Sequence, residues 1–164
     1  MKHTAKALAH SAITAALCVV LMLLGGILEL GIYAAPLLAG LCFLPIGSRF
    51  GKRWHICVFI ASSLLCLLFV PNIEENVMFL AIFGWYPIVH PMLQKLPPVI
   101  RWICKLGIFN TAVIAAQWLV LTLLAPQALG TMLLWVLLAL GNVTFVLYDL
   151  LIPKMQLLLR KIFH

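Results

Sequence analysis

The chain has 164 residues, of which 65% are hydrophobic and only 9% are charged, and its mean hydropathy is +1.18. Soluble domains carry about 25% charged residues and expose much of their surface, so this composition excludes a soluble globular protein. The net charge of +7 resides in basic clusters between apolar runs, so it does not indicate binding to nucleic acid. The runs are long and do not alternate like strands, which predicts an all-α integral membrane protein, a compact helical bundle in the lipid bilayer.

The first predicted helix runs from Ala5 to Leu28, and its first half is rich in small residues. Small residues spaced by about four positions let another helix approach closely in lipid. On this helix they are Ala5, Ala9, Ala12 and Ala16. The basic start of the chain resembles a signal peptide, but the apolar run is too long for one, so we interpret it as a retained helix.

The second and third predicted helices are separated by a basic loop. The second covers residues 32–46, contains Pro36 and Pro45, and is short for a crossing, which takes about 20 residues. Residues 47–55 form the loop, which should face the cytoplasm. The third helix covers residues 54–70.

The fourth predicted helix begins after Asn72 and continues to about residue 93. Asn72 and Glu75 match a capping box, in which two side chains three positions apart bond reciprocally to backbone N–H groups. Pro87 cannot donate a hydrogen bond to the carbonyl of Phe83, which predicts a kink there.

The fifth predicted helix ends near Leu124, and its amphipathic first turns carry Arg101 and Lys105. The sixth covers residues 131–152. Pro153 should end it, and the tail of basic and apolar residues that follows should lie on the inner membrane surface.

Six crossings bring all the basic clusters to one side of the membrane. The eleven basic residues are Lys2, Lys6, Arg49, Lys52, Arg53, Lys95, Arg101, Lys105, Lys154, Arg160 and Lys161. The positive-inside rule makes that side the cytoplasm, so both termini are predicted to be cytoplasmic, and residues 1–164 form a single domain. Glu29, Glu74 and Glu75 fall on the outer side. Asp149 lies near the inner side, five residues before Lys154, which suggests an ion pair or a helix-end role.

Enzyme motifs do not occur in the sequence. It has no HExxH, no GxSxG, no P-loop and no pair of intramembrane carboxylates, so we predict no catalytic residue, cofactor or metal site. The histidines toward the inner side show no ligand spacing and are interpreted as interfacial anchors. They are His3, His10, His55 and His90. The five cysteines form no CxxC pair and are interpreted as small buried thiols.

Polar residues inside the predicted helices allow two interpretations. Gln117 and Asn142 reach a similar depth and could hydrogen-bond across a helix interface, which would hold the helices together. Alternatively, they line a ligand cavity. Aromatic residues at Tyr33, Trp85 and Trp118 add walls to such a cavity below the outer glutamates, as small-molecule sites require. The predicted substrate-binding residues are therefore Glu29, Tyr33, Glu74, Trp85, Gln117, Trp118 and Asn142. An aromatic belt and a helix cap would explain the same aromatic and acidic residues without a ligand.

Six short helices, both ends inside, no ATPase motif and an alanine-rich first helix resemble the substrate-binding membrane subunit (S component) of energy-coupling factor transporters. The stretch LGGILELGIYAAPLLAGLCFLPI, residues 24–46, also resembles the first hairpin of that family. The resemblance implies capture of a vitamin-like micronutrient or a metal ion from outside. It also implies docking of Ala5, Ala9, Ala12 and Ala16 on a transmembrane coupling subunit, with ATPase subunits driving transport.

The chain departs from parts of that family in its short outer loops and in lacking a histidine-rich N-terminus. Its acidic outer side disfavours a strongly anionic substrate. One alternative is a non-transport scaffold or accessory subunit, for which the same alanine face would bind a partner. A carrier acting alone on an ion gradient would want an intramembrane carboxylate, and only Asp149 approaches that position.

Overall fold

A computed structural model describes residues 2–27, 34–123 and 131–163. In chain order its elements are α1 (Lys2–Ile27), α2 (Ala34–Cys42), α3 (Leu44–Phe50), α4 (Lys52–Phe69), α5 (Ile73–Met78), a π-helical segment (Phe79–Phe83), α6 (Tyr86–Leu93), α7 (Pro98–Leu123) and α8 (Thr131–Phe163). Those residues contain no strand, and the all-α prediction is confirmed.

Within the described residues, five apolar helical stretches are long enough to cross a membrane. They are Thr4–Ile27, Lys52–Phe69, Ile73–Leu93, Pro98–Leu119 and Leu138–Leu159. The stretch Ala34–Phe50, made of α2 and α3, is apolar but shorter. Large apolar side chains point outward, and Leu68 and Trp135 expose 78% and 69% of their surface. An apolar exterior of this kind suits lipid, so the chain is a multi-pass membrane protein.

The connection between α3 and α4 is much shorter than predicted. Residues 47–55 were expected to form a loop, but Gly51 is the only non-helical residue among them. Gly51 has a φ of +91°, a left-handed conformation that glycine adopts without strain. This single residue turns the chain so that α4 contacts α3. The second predicted helix breaks instead at Phe43, just before α3, which has Pro45 in its first turn.

The fourth predicted helix is interrupted near Pro87, as expected. Between α5 and α6 the chain forms a π-helical segment, and the amide of Gly84 donates to the carbonyl of Phe79 at 2.9 Å. Pro87 has no N–H, so the carbonyl of Phe83 loses its helical donor. The interruption therefore places backbone polar groups and the side chains of α6 in the interior of the bundle.

The sixth predicted helix does not end before Pro153. α8 continues through this proline to Phe163, so the expected end of the helix before Pro153 is wrong. A proline inside a helix removes one hydrogen bond but does not stop a long helix that gains packing on both sides of it. Ile152, next to the proline, is fully buried in the core, which anchors α8 at this point.

Two buried clusters hold the helices together. In one, the rings of Phe109 on α7 and Phe145 on α8 stack with centroids 4.5 Å apart, and Tyr86 on α6 packs edge-on against Phe145. The other joins α1, α2, α4 and the π-helical segment, and includes Cys18 and Phe79. Because lipid provides no hydrophobic force between helices, such close packing is what holds a membrane bundle together.

Candidate functional site

Five of the seven predicted substrate-binding residues lie in the part of the chain that the structure describes. Glu29 and Tyr33 lie outside the described residues. Glu74 is exposed at the first turn of α5, and Trp118 on α7 exposes 67% of its surface. Trp85 is half-buried, and its indole N–H donates to the carbonyl of Ala81 at 2.8 Å. The convergence of these side chains on one ligand stays a prediction.

The predicted hydrogen bond between Gln117 and Asn142 is wrong. Asn142 instead pairs with Asn110 on α7 through two reciprocal amide bonds of 2.9 and 3.0 Å. Gln117 is half-buried two turns farther along α7. The reason is their depth: Asn110 and Asn142 lie 13 and 11 residues from the ends of α7 and α8 at Leu123 and Thr131, whereas Gln117 lies only 6 residues from its end. The asparagine pair joins α7 to α8 and satisfies amide groups that lipid could not.

A carboxylate on α8 forms the centre of a buried polar cluster, which we call the Asp149 cluster: Tyr86, His90, Lys105 and Asp149. Tyr86 donates its hydroxyl to Asp149 Oδ1 at 2.5 Å, and Lys105 Nζ lies 2.7 and 2.6 Å from the two carboxylate oxygens. His90 Nε2 is 3.3 Å from Oδ1. None of the four residues exposes more than 3% of its surface. The cluster therefore joins α6, α7 and α8 by a neutralised ion pair.

A chain of side chains leads from this cluster to the protein surface. Gln94, which is exposed, places its amide nitrogen 3.0 Å from His90 Nε2. Arg101 donates to the other end of the same amide at 3.0 Å. Because Arg101 can only donate, Gln94 accepts with Oε1 and donates its amide nitrogen to His90 Nε2, which lies beside the buried carboxylate.

Two interpretations made from the sequence are corrected by the Asp149 cluster, and a third is corrected by the burial of His55. Asp149 pairs with Lys105, not with Lys154, because the helix packing brings α7 beside α8. Lys105 and His90, expected at the membrane interface, are both buried. His55 is buried as well, whereas His10 is exposed. The sequence did contain a signal for the pair of Lys105 and Asp149: both charges lie within apolar runs, and ionisable residues inside a membrane pair with one another.

The backbone carbonyl exposed by Pro87 receives a substitute donor. The hydroxyl of Tyr148, next to Asp149, donates to the carbonyl of Phe83 at 3.0 Å. Gly40 on α2 makes room for this contact, because a Cβ there would overlap the carbonyl of Phe83 and lie 2.6 Å from the Tyr148 hydroxyl. The interrupted helix is therefore held by two consecutive side chains of α8.

A second buried carboxylate, Glu75, lies at the start of α5. The predicted N-cap is confirmed: the backbone N–H of Glu75 donates to Asn72 Oδ1 at 3.3 Å. The other half of the capping box is wrong: the Glu75 side chain is turned inward and fully buried, and neither oxygen has a hydrogen-bond partner among the described residues. It lies against α1, where a Cβ at Gly26 would be 3.2 Å from Oε2.

Other polar atoms near this end are also without partners. The side-chain oxygen of Asn76, and the hydroxyls of Ser62 and Ser63 on α4, are buried and make no hydrogen bond within the described residues. Asn76 uses its amide nitrogen to donate to the carbonyl of Val70 at 2.9 Å. Buried polar atoms without partners are rare and costly, and they mark places where water, an ion or a ligand belongs.

The predicted docking residues on α1 form one exposed face. Ala5, Ala9, Ala12 and Ala16 are all exposed. The residues that α1 turns toward the bundle are different ones and include Ala7, Ser11, Ala15, Cys18 and Met22. The small-residue face thus lies on the outside of the bundle.

The cysteines and histidines form no cluster that could hold a metal ion, as far as the described residues show. All five cysteines are free thiols, and Cys18 and Cys66 are buried as predicted, whereas Cys57 is exposed. No protein-family model, curated protein or solved structure matches the chain.

Proposed function

We propose that this protein is a substrate-binding membrane subunit of an energy-coupling factor type importer, which captures a small micronutrient and docks through α1 on a coupling subunit. The observation that carries the proposal is the exposure of Ala5, Ala9, Ala12 and Ala16 on the outside of the bundle. A bundle that used these residues for its own packing would have buried them, because small residues are where membrane helices approach most closely.

The face has the shape that a partner helix requires. Large apolar residues stand beside the small ones: Leu8 and Ile13 expose 64% and 68% of their surface. The row of alanines is therefore a shallow groove between bulkier side chains. A second helix lying in the groove would gain van der Waals contacts that lipid chains fill less well.

The binding part of the proposal is supported by the unpartnered Glu75 and Asn76 at the predicted outer end. A buried carboxylate and an amide oxygen accept hydrogen bonds, so they favour a ligand that carries donors or a positive charge. This agrees with the acidic character expected for the outer side of the bundle, which attracts cations and repels anions.

A scaffold or accessory subunit without a ligand is the alternative. The observation that favours it is that Trp85 and Asn142, two predicted ligand contacts, hydrogen-bond to Ala81 and Asn110 within the bundle. A small molecule retained by the gently purified protein discriminates between the two functions, because a scaffold has none to retain.

The docking role is tested by enlarging one residue of the small face. Ala12→Trp should abolish co-purification with a coupling subunit from the native membrane, because the indole fills the groove. Leu147→Trp is the control, since this exposed apolar residue lies on α8 and not on α1, and it should leave association unchanged. Both variants should keep the thermal stability of the isolated protein. Full association of Ala12→Trp would contradict docking through α1.

A further inference from the structure

A pocket of about 550 Å³ lies among α3, α4, α6 and α8, at the end of the bundle that contains Gly51. Its polar side is formed by Ser48, Arg49, Lys52 and His55. The first three are exposed, whereas His55 exposes only 4% of its surface. The pocket therefore extends from the protein surface to a buried imidazole, and its volume is in the range of small-ligand sites.

We propose that this pocket binds the phosphate group of an anionic ligand. Lys52 supplies a positive charge at the pocket, and none of the described residues that line it is acidic. Asp149 is neutralised by Lys105 in its own cluster, and Glu75 lies on α5, which follows the other end of α4. A lysine ammonium group binds phosphate through charge-assisted hydrogen bonds.

The backbone of α4 adds donors to the same pocket. α4 starts at Lys52, and its N-cap residue, Gly51, has no side chain to bond the first N–H groups of the helix. These groups lack intrahelical acceptors, and the helix dipole makes this end positive. Anions bind at such helix starts because several N–H groups point at them together.

His55 supplies an independent observation. Its Nε2 atom is buried and has no hydrogen-bond partner among the described residues. The other side of the ring is packed against α3, where a Cβ at Gly47 would lie only 2.6 Å from Nδ1, and the ring contacts Phe43 at 5.7 Å between centroids. The imidazole is thus held in place with one nitrogen unsatisfied. A phosphate oxygen in the pocket would accept a hydrogen bond from it and remove the cost of burial.

The lining from α6 and α8 is mostly apolar and includes Pro87, Ile88 and Leu159, with Gln156 as its one polar side chain. A phosphoester with an apolar part fits both walls at once, and it could be either the headgroup of an anionic phospholipid or a soluble phosphate compound. Arg49, Lys52 and Arg53 place this end of the bundle on the predicted cytoplasmic side of the membrane. The anionic lipid headgroups of that side attract basic residues. This inference does not depend on transport or on docking through α1.

The test uses the full chain in nanodiscs and a pair of neighbouring variants. Lys52 lines the pocket, whereas Arg53 is exposed and does not. Thermal stability is measured in phosphatidylcholine discs, in the same discs with inorganic phosphate against chloride at equal ionic strength, and in discs containing phosphatidylglycerol. Inorganic phosphate or phosphatidylglycerol should raise the melting temperature of the wild type. Lys52→Gln should weaken the apparent affinity about tenfold, as expected for the loss of one charge-assisted hydrogen bond.

Arg53→Gln removes the same charge one residue away and should bind like the wild type. Stabilisation by inorganic phosphate in neutral discs identifies a soluble ligand, and stabilisation only by phosphatidylglycerol identifies a lipid headgroup. Equal losses in Lys52→Gln and Arg53→Gln would show general attraction to the basic surface and overturn the pocket. No stabilisation of the wild type by either probe would overturn it as well. His55→Phe is a second test in the same assay. It removes the unsatisfied nitrogen while keeping a ring against Phe43, and it should weaken binding of the stabilising probe.

Discussion

Asp149 and Glu75, the carboxylates that are buried in the part of the chain the structure describes, are accommodated in opposite ways. Asp149 has a tyrosine hydroxyl, a lysine ammonium and a histidine within 3.3 Å. Glu75 has no hydrogen-bond partner among the described residues. A buried charge is tolerated when it is paired, and otherwise it takes up a proton or binds something. Asp149 is thus satisfied within the fold, whereas the described residues leave the Glu75 carboxylate unsatisfied.

The helices around each carboxylate explain the difference. α6 and α7 place polar and cationic side chains opposite Asp149, and the interruption at Pro87 adds a carbonyl that needs a donor. On α1 Glu75 lies against Gly26, which has no side chain that could pair with a carboxylate. The groups around Asp149 satisfy its charge, whereas the carboxylate of Glu75 and the amide oxygen of Asn76 have no donor among the described residues.

The largest effect is expected when the ion pair is broken. Asp149→Asn should lower the free energy of unfolding by about 3–5 kcal/mol, because it leaves the Lys105 ammonium buried without a counter-charge. Unfolding by a denaturing detergent, followed by tryptophan fluorescence, measures the change. Lys105→Met combined with Asp149→Asn should regain more than half of the loss, since the uncompensated charge is gone. A single variant as stable as the wild type would show that the pair contributes nothing to the fold.

A smaller effect is expected at the contact beside the Asp149 cluster. Gly40→Ala should lower the free energy of unfolding by about 1–3 kcal/mol, because the added methyl group overlaps the carbonyl of Phe83 and displaces Tyr148. Gly107→Ala is the matched control in α7, where nothing lies within 4 Å of the added Cβ. It should raise stability by about 0.5–1 kcal/mol, the usual difference between alanine and glycine in a helix. The same unfolding assay compares the two, and equal effects would contradict the close approach at Gly40.

The sequence predicts the class of this fold well, because a membrane helix is specified locally. Long apolar runs, Asn72 at a helix start and Pro87 at an interruption each depend on residues within one or two turns. The length of a connection is harder to predict. Gly51 replaces an expected loop of nine residues, 47–55, because one glycine with positive φ is enough to turn the chain.

The polar interior was not predictable in the same way. Which residue faces Asp149 depends on how α7 and α8 pack, and Lys105 is 44 positions away in the chain. The pairing of Asn142 with Asn110 rather than Gln117 depends on how α7 and α8 are aligned along their length, since residues seven positions apart on a helix differ in height by about 10 Å. At α5 the sequence gives the cap but not the direction of each glutamate, so Glu74 was expected to face a pocket and Glu75 to serve the cap.

The smallest effect should have the opposite sign and lies at the unpartnered carboxylate. Glu75→Gln should raise the free energy of unfolding of the ligand-free protein by about 1 kcal/mol, because a neutral amide costs less to bury than a carboxylate without partners. Glu74→Gln changes the neighbouring, exposed glutamate and should stay within about 0.5 kcal/mol of the wild type. The detergent unfolding assay used for Asp149→Asn measures both.

The same pair of variants connects stability to function. Native mass spectrometry of gently purified wild-type protein should show a retained small molecule. Glu75→Gln should lose it, whereas Glu74→Gln should keep it, because the structure leaves Glu74 exposed and turns Glu75 inward in place of the contact predicted for Glu74. A variant that gains stability while losing a ligand identifies a binding group, since a purely structural residue would lose stability first. If Glu75→Gln destabilised the protein as strongly as Asp149→Asn, Glu75 would have a partner in the fold, and the contrast between the two carboxylates would be wrong.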